Sequence, residues 1–129
     1  MLDKAFIKSG IINVYRTVDW DYMKNIHGIT KDTINEFVGS IITNKGYMSA
    51  SYDFKSPWGD RWTNDELVFH ITSNKPYPYI AVNDIFDDNE IDCTSQNECI
   101  LPRDTRLIIK DISIMKNMCG TYVIDAGII

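Results

Sequence analysis

Gln96 and Glu98 are separated by the single residue Asn97 and lead at once into Cys99-Ile100-Leu101-Pro102-Arg103. In an extended backbone, side chains two apart share a face, so a carboxamide and a carboxylate would project side by side about 6–7 Å apart. Cys99 and Leu101 would then face the other way, where a small thiol and a leucine suit a core. Pro102 has no N–H to give to a ladder, which predicts the end of the strand or an edge position. A charged acceptor and a neutral amide displayed together at the mouth of a strand mark a candidate site.

Two further pieces could act with it. Val14-Tyr15-Arg16 puts a guanidinium, a planar fork of donors, at the end of a strand. Gly46-Tyr47-Met48-Ser49-Ala50-Ser51 is a turn leading into a strand that shows two serines on one face. Each piece alone is common: a lone arginine is usually a solvated charge, and S-x-S recurs by chance. Their order along the chain is more restrictive.

The elements that must position them read as more strand than helix. Leu2 to Lys8 reads as a helical turn or the tail of a longer helix, and Ile11 to Tyr15 as a strand. Asp19 to Asn25 and Thr30 to Ile41 are predicted helical. In the second, Ile34, Phe37, Val38 and Ile41 form an i, i+3, i+4, i+7 stripe that reads as core packing. Asn44-Lys45-Gly46 reads as a turn and Tyr47 to Ser51 as a strand. Lys55 to Asn64 is a loop carrying Trp58, Arg61 and Trp62. Glu66 to Thr72 and Tyr79 to Val82 are strands, Asp84 to Ser95 is an acidic loop, and Arg106 to Met115 and Gly120 to Ile129 are β segments.

These motifs, in this order, resemble the arginine–serine–glutamate branch of the mono-ADP-ribosyltransferases, especially the clostridial Rho-modifying exoenzymes and the catalytic domains of binary toxins. That family carries an arginine on an early strand, a Ser-Thr-Ser strand after a glycine–aromatic pair, and a Gln/Glu-x-Glu motif ahead of a leucine-leucine-proline-arginine type strand. The matching residues here are Arg16, Ser49-Ala50-Ser51, and Gln96-Asn97-Glu98 with Ile100-Leu101-Pro102-Arg103. Ala50 replaces the middle threonine. Trp58 and Arg61 correspond to the aromatic and arginine of the family's phosphate–nicotinamide loop.

The resemblance runs from about Ile7 to the C-terminus. It implies an α+β fold, an ADP-ribosyltransferase-like core of two packed, mainly antiparallel β-sheets with a few short helices near the N-terminus. It also implies NAD as co-substrate, a protein as acceptor of ADP-ribose, and no metal. In that reading Glu98 is the essential catalytic residue, Ser49 keeps the carboxylate or the nicotinamide side in register, and Gln96 addresses the acceptor. NAD would be held by Arg16, Ser49, Ser51, Trp58 and Arg61. In the family, glutamine at the position of Gln96 goes with acceptors such as asparagine rather than arginine, consistent with amide pairing to amide.

Composition sets the outer bounds. The 129 residues make one domain by length, large enough for a real core, and the 44% apolar content excludes a disordered chain. Three cysteines, Cys93, Cys99 and Cys119, show no C-x-x-C spacing and predict reduced thiols rather than disulfides or zinc. A net charge of −5 disfavours nucleic acid as a main partner. No secretory signal or membrane-length apolar run is visible, so the expected location is the cytoplasm or the interior of a host cell into which the chain is delivered, with no membrane partner. His27 and His70 carry no metal spacing, and His70 reads as a strand-face histidine. The acidic stretch Asp84, Asp87, Asp88, Glu90, Asp92 lacks the glycine and closing glutamate of an EF-hand and reads as a solvated loop.

Two departures from the family qualify the reading. Asp92-Cys93-Thr94-Ser95 offers no aromatic where Rho-modifying relatives carry one, so Rho is not implied as target. Fifteen residues precede Arg16, where relatives carry several helices that cover one side of the cleft. A weakened hold on NAD, or a second copy or partner chain completing the cleft, is therefore expected. Two other readings stay open: an NAD glycohydrolase in which water replaces the acceptor, and an inactive NAD- or protein-binding module of the same fold.

Overall fold

The computed structural model describes residues 8–52, 65–81, 98–115 and 120–129. Nine strands follow in chain order: β1 (Lys8–Gly10), β2 (Asn13–Asp19), β3 (Ile41–Asn44), β4 (Met48–Ser51), β5 (Glu66–Thr72), β6 (Tyr77–Ala81), β7 (Glu98–Leu101), β8 (Thr105–Ile114) and β9 (Tyr122–Ile128). Helix is confined to short pieces: α1 (Trp20–Tyr22), a π turn over Met23–His27 and a 3₁₀ turn over Ile34–Phe37. The architecture is mixed and β-rich. Among the described residues, no helix is long and apolar enough to cross a membrane.

By hydrogen bonding the strands form one sheet in the order β1-β6-β7-β4-β2-β5-β9-β8-β3, not the two expected. All pairings are antiparallel except β5 with β9. The continuity rests on one register pair between β2 and β4, Tyr15 with Ser51. The sheet is nevertheless folded back on itself. Tyr77 in β6 and Thr105 in β8 lie six strand positions apart, roughly 29 Å in a flat sheet at 4.8 Å per strand, yet their hydroxyls are 2.8 Å apart. Two arms joined at the β2–β4 junction thus enclose one core. Val14, Leu67, Ile71, Ile109 and Ile124 come from one arm and Met48, Cys99 and Leu101 from the other, and all are essentially buried.

Alternation within the strands explains this burial. In β5, Leu67, Phe69 and Ile71 face the core, and in β7 Cys99 and Leu101 do so. The expected strand 66–72 coincides with β5, and β7 stops at Leu101, immediately before Pro102.

The helix expected over Thr30 to Ile41 does not form. Thr33 instead engages Thr30: the Thr30 N–H donates to Thr33 Oγ1 at 3.0 Å, a local bond that competes with a helical ladder. Gly39 then turns left-handed at φ 90°, which ends the 3₁₀ turn. Of the stripe, Ile34 is buried, whereas Val38 and Ile41 are exposed, and Ile41 opens β3. Asn44, expected in a turn, closes β3. Lys8, expected at a helix end, begins β1. The helix expected over Asp19 to Asn25 is present as α1 and the π turn. Asp19 caps α1, accepting from the Tyr22 N–H at 2.6 Å.

Candidate active site

Glu98 opens β7, and the β4–β7 ladder sets it directly opposite Ser51. Ser49 faces Ile100 one step further along, so Ser49, Ser51 and Glu98 share a face while Met48, Ala50, Cys99 and Leu101 fill the core behind them. Glu98 and Ser51 are half-buried and Ser49 is exposed. Behind Glu98, burial pushes the Cys99 thiol up to about 11; the Glu98 charge adds to the shift and a Tyr52 hydrogen bond opposes it. Cys99 is thus a neutral packing group, not a nucleophile.

Arg16 arrives from β2. The strand's alternation puts it with Val14 and Val18 rather than with Tyr15, so it leaves β2 on the core side. Its Nη1 donates to the Ser49 carbonyl at 2.8 Å. Beyond the Tyr15–Ser51 pair the two strands part, and Arg16 gives the Ser49 carbonyl a donor from β2. The guanidinium therefore stands at the junction of the two arms, against the backbone of the serine strand.

Around Arg16 lies a narrow pocket whose walls include Tyr22, His27, Asn44, Met48 and Phe69. Tyr22 Oη donates to Asn44 Oδ1 at 3.0 Å, and Asn44 Nδ2 donates to the Gly46 carbonyl at 2.7 Å. This chain fixes the entry into β4. Burial lowers the pKa of His27, favouring the neutral imidazole. Arg103, two residues past β7, stacks its guanidinium 5.2 Å over the Tyr47 ring at the same entering end of β4.

Of the expected site residues, Ser49, Ser51 and Glu98 share one face of β4 and β7, while Arg16 leaves β2 on the core side and meets the serine strand at the Ser49 backbone carbonyl. Gln96, Trp58 and Arg61 lie outside the described residues. Sequence reasoning missed Tyr22, His27 and Asn44. Their only local sign was the cap Asp19, since their meeting depends on β3, a strand the pattern did not reveal.

The same face carries a longer row. Across β9, β5, β2, β4 and β7 the register aligns Asp125, His70, Tyr15, Ser51 and Glu98. His70 Nδ1 is 3.1 Å from Asp125 Oδ1, its Nε2 is 2.7 Å from Asn13 Oδ1, and its ring stacks on Tyr15 at 4.6 Å and 14°.

The fold is similar to those of solved ADP-ribosyltransferase toxins. Plx2a, an ADP-ribosyltransferase toxin from Paenibacillus larvae, matches with a TM-score of 0.72 at 23% identity, over 99% of this chain and 67% of that one. The Clostridium limosum C3 exoenzyme matches at 0.70 and 20% identity, over 99% and 65%. C3stau2 from S. aureus, solved with NAD, matches at 0.66 and 17% identity, over 95% and 62%. This chain thus spans about two thirds of the length of these proteins. No curated protein matches it by sequence. The sequence profile of the ADP-ribosyltransferase exoenzyme family matches residues 1–129, and the chain belongs to that family.

Proposed function

We propose that the chain is an NAD-dependent protein mono-ADP-ribosyltransferase, which moves ADP-ribose from NAD to a protein side chain and releases nicotinamide. The observation that carries this reading is Glu98 in register with Ser51 on the serine strand, whose Ser49 carbonyl accepts from Arg16, in a member of the exoenzyme family. The bond between the ribose C1′ and the nicotinamide nitrogen breaks with its electron pair leaving on nicotinamide. The ribose then acquires oxocarbenium character. Glu98 meets that charge with its carboxylate and accepts a hydrogen bond from a ribose hydroxyl, restraining the sugar. Ser51, opposite it, and Ser49, one step along the same face, keep this end of the cleft polar and in register.

Arg16 contributes binding. One of its donors holds the Ser49 carbonyl, and the rest of the planar fork suits the pyrophosphate. The family resemblance adds Trp58 as a cover for nicotinamide, Arg61 as a second grip on phosphate and Gln96 as the residue that addresses the acceptor. Asparagine is the acceptor that Gln96 favours, because an amide pairs with an amide.

Incubation with NAD labelled in its adenylate part, together with a cell lysate, tests the reading. Label on a discrete protein is the expected result, and it disappears in Glu98→Gln. Free labelled ADP-ribose alone would make the chain a glycohydrolase. A folded chain that consumes no NAD would make it a binding module.

A further inference from the structure

We propose that the cavity between the β5–β6 connection and the end of β9 is a binding site for a small carboxylate carried on an aromatic or branched apolar body. The cavity shares no described residue with the candidate active site, and it stands independently of the functional reading above.

Its volume is about 380 Å³. A cavity of about 150 Å³ accommodates a single six-carbon ring, so this space suits a molecule of roughly ten to fifteen non-hydrogen atoms. That is more than water or a lone ion requires and far too little for a dinucleotide. The apolar walls come from Pro76, from the ring of Tyr77 at the start of β6, and from Ile128 and Ile129 where β9 ends. Two of these walls are fixed by hydrogen bonds. The Ile129 N–H donates to the Arg106 carbonyl at 3.1 Å. Thr105 Oγ1 gives its hydrogen to the Pro102 carbonyl at 2.8 Å, so Tyr77 Oη donates to Thr105 Oγ1, also at 2.8 Å. The Tyr77 ring is pinned with its hydroxyl hydrogen already used. The space is therefore formed in advance, and a ligand does not have to order it.

The β5–β6 connection brings the polar groups. Ser73 is tied twice to Ile12, donating its N–H to the Ile12 carbonyl at 3.0 Å and accepting the Ile12 N–H on Oγ at 2.8 Å. The Ser73 hydroxyl hydrogen has no acceptor among the described residues. Asn74 and Lys75 follow it, both exposed, and their side chains make no hydrogen bond or ion pair among the described residues. A hydroxyl, a carboxamide and an ammonium, all with hydrogens to give, thus border an apolar space. No acidic residue lines the cavity among the described residues. In a chain of net charge −5, a cavity with a cation and no acid selects for an anion.

The two kinds of wall decide the class of ligand. An inorganic anion would leave the tyrosine and isoleucine surface wet, and a pure hydrocarbon would gain nothing from the ammonium. A carboxylate on an apolar body uses both, with its charge at Lys75 and its body against Tyr77 and the isoleucines. One lysine is a point charge rather than a planar fork, which suits a single carboxylate better than a multiply charged phosphate. Because Lys75 is exposed, its contribution is modest, and burial of the apolar body carries most of the affinity.

The test uses two probes of that size on the full chain, naphthylacetate and its uncharged counterpart naphthylacetamide. Calorimetry gives the affinity, and amide chemical shifts give the location. Naphthylacetate should bind with a Kd of about 1 mM or lower and shift the amides of residues 73–75, 77, 128 and 129. Naphthylacetamide should bind about five-fold more weakly, since it lacks the charge that meets Lys75. In Lys75→Ala the acetate should fall to the level of the amide, within about two-fold. Ile129→Ala should weaken both probes by about three-fold, because it removes apolar wall and no charge. Both replaced side chains are exposed, so each variant should keep the wild-type spectrum away from the cavity. Absence of acetate binding up to about 10 mM would overturn the proposal, as would shifts centred on other residues. So would equal affinity for the two probes in wild type, or a preference for the acetate that survives Lys75→Ala.

Discussion

β4 is held differently on its two sides. Toward β7 it has four successive register pairs, and the backbone alone fixes Ser51 against Glu98. Toward β2 it has one, and a side chain adds to the attachment: Arg16 on the Ser49 carbonyl. One flank is a ladder, the other a joint. The candidate catalytic carboxylate stands on the ladder, while the candidate phosphate-binding arginine stands on the joint. A site built this way keeps its reacting group rigid and leaves adjustment to the group that meets the dinucleotide.

Breaking the ladder flank should cost stability before it costs chemistry. Leu101 is fully buried behind that flank, and Leu101→Ala should lower unfolding free energy by about 2–5 kcal/mol. Denaturant titration reads the loss, and activity per folded molecule should stay near wild type. Breaking the joint should do the reverse. Arg16→Lys removes the planar fork while keeping the charge, and should raise KM for NAD about ten- to a hundred-fold, the loss of a charged hydrogen bond of about 1.5–3 kcal/mol. Its melting temperature should move by only a few degrees.

A smaller effect lies in the pocket beside Arg16. Burial holds the folded-state pKa of His27 below its ordinary 6.5. As pH falls through 6.5 the unfolded chain takes up the proton first. The stability associated with the neutral ring is therefore present above 6.5 and declines below it. Chemical denaturation at pH 7.5 and 5 should show that decline, and His27→Gln should flatten it.

The sequence revealed the ladder flank better than the joint. Alternation placed Cys99 and Leu101 in the core and Glu98 on the opposite face, and Pro102 ended the strand where expected, because these are properties of a few neighbouring residues. β5 was equally legible from its β-branched and aromatic run. The stripe from Ile34 to Ile41 misled: its spacing fits a helix, but Thr33 bonds locally to Thr30 and Gly39 takes a positive φ. β3 was hidden by that misreading, and with it the pocket of Tyr22, His27 and Asn44. The contact between His70 and Asp125 was out of reach for a different reason. Asp125 meets His70 only because β9 runs parallel to β5, and a pairing between strands 55 residues apart leaves no local trace. Arg16 was placed by its order among the motifs; that its guanidinium would reach a backbone carbonyl of the serine strand was not readable.

The central claim is that Glu98, fixed by the β4–β7 ladder, stabilises the ribose cation formed as NAD loses nicotinamide. Nicotinamide release measured in parallel for wild type and Glu98→Gln, with NAD binding followed by calorimetry, tests it most directly. Release from Glu98→Gln should fall about 10²–10³-fold, with NAD affinity changed little. Release at the wild-type rate from Glu98→Gln would contradict it.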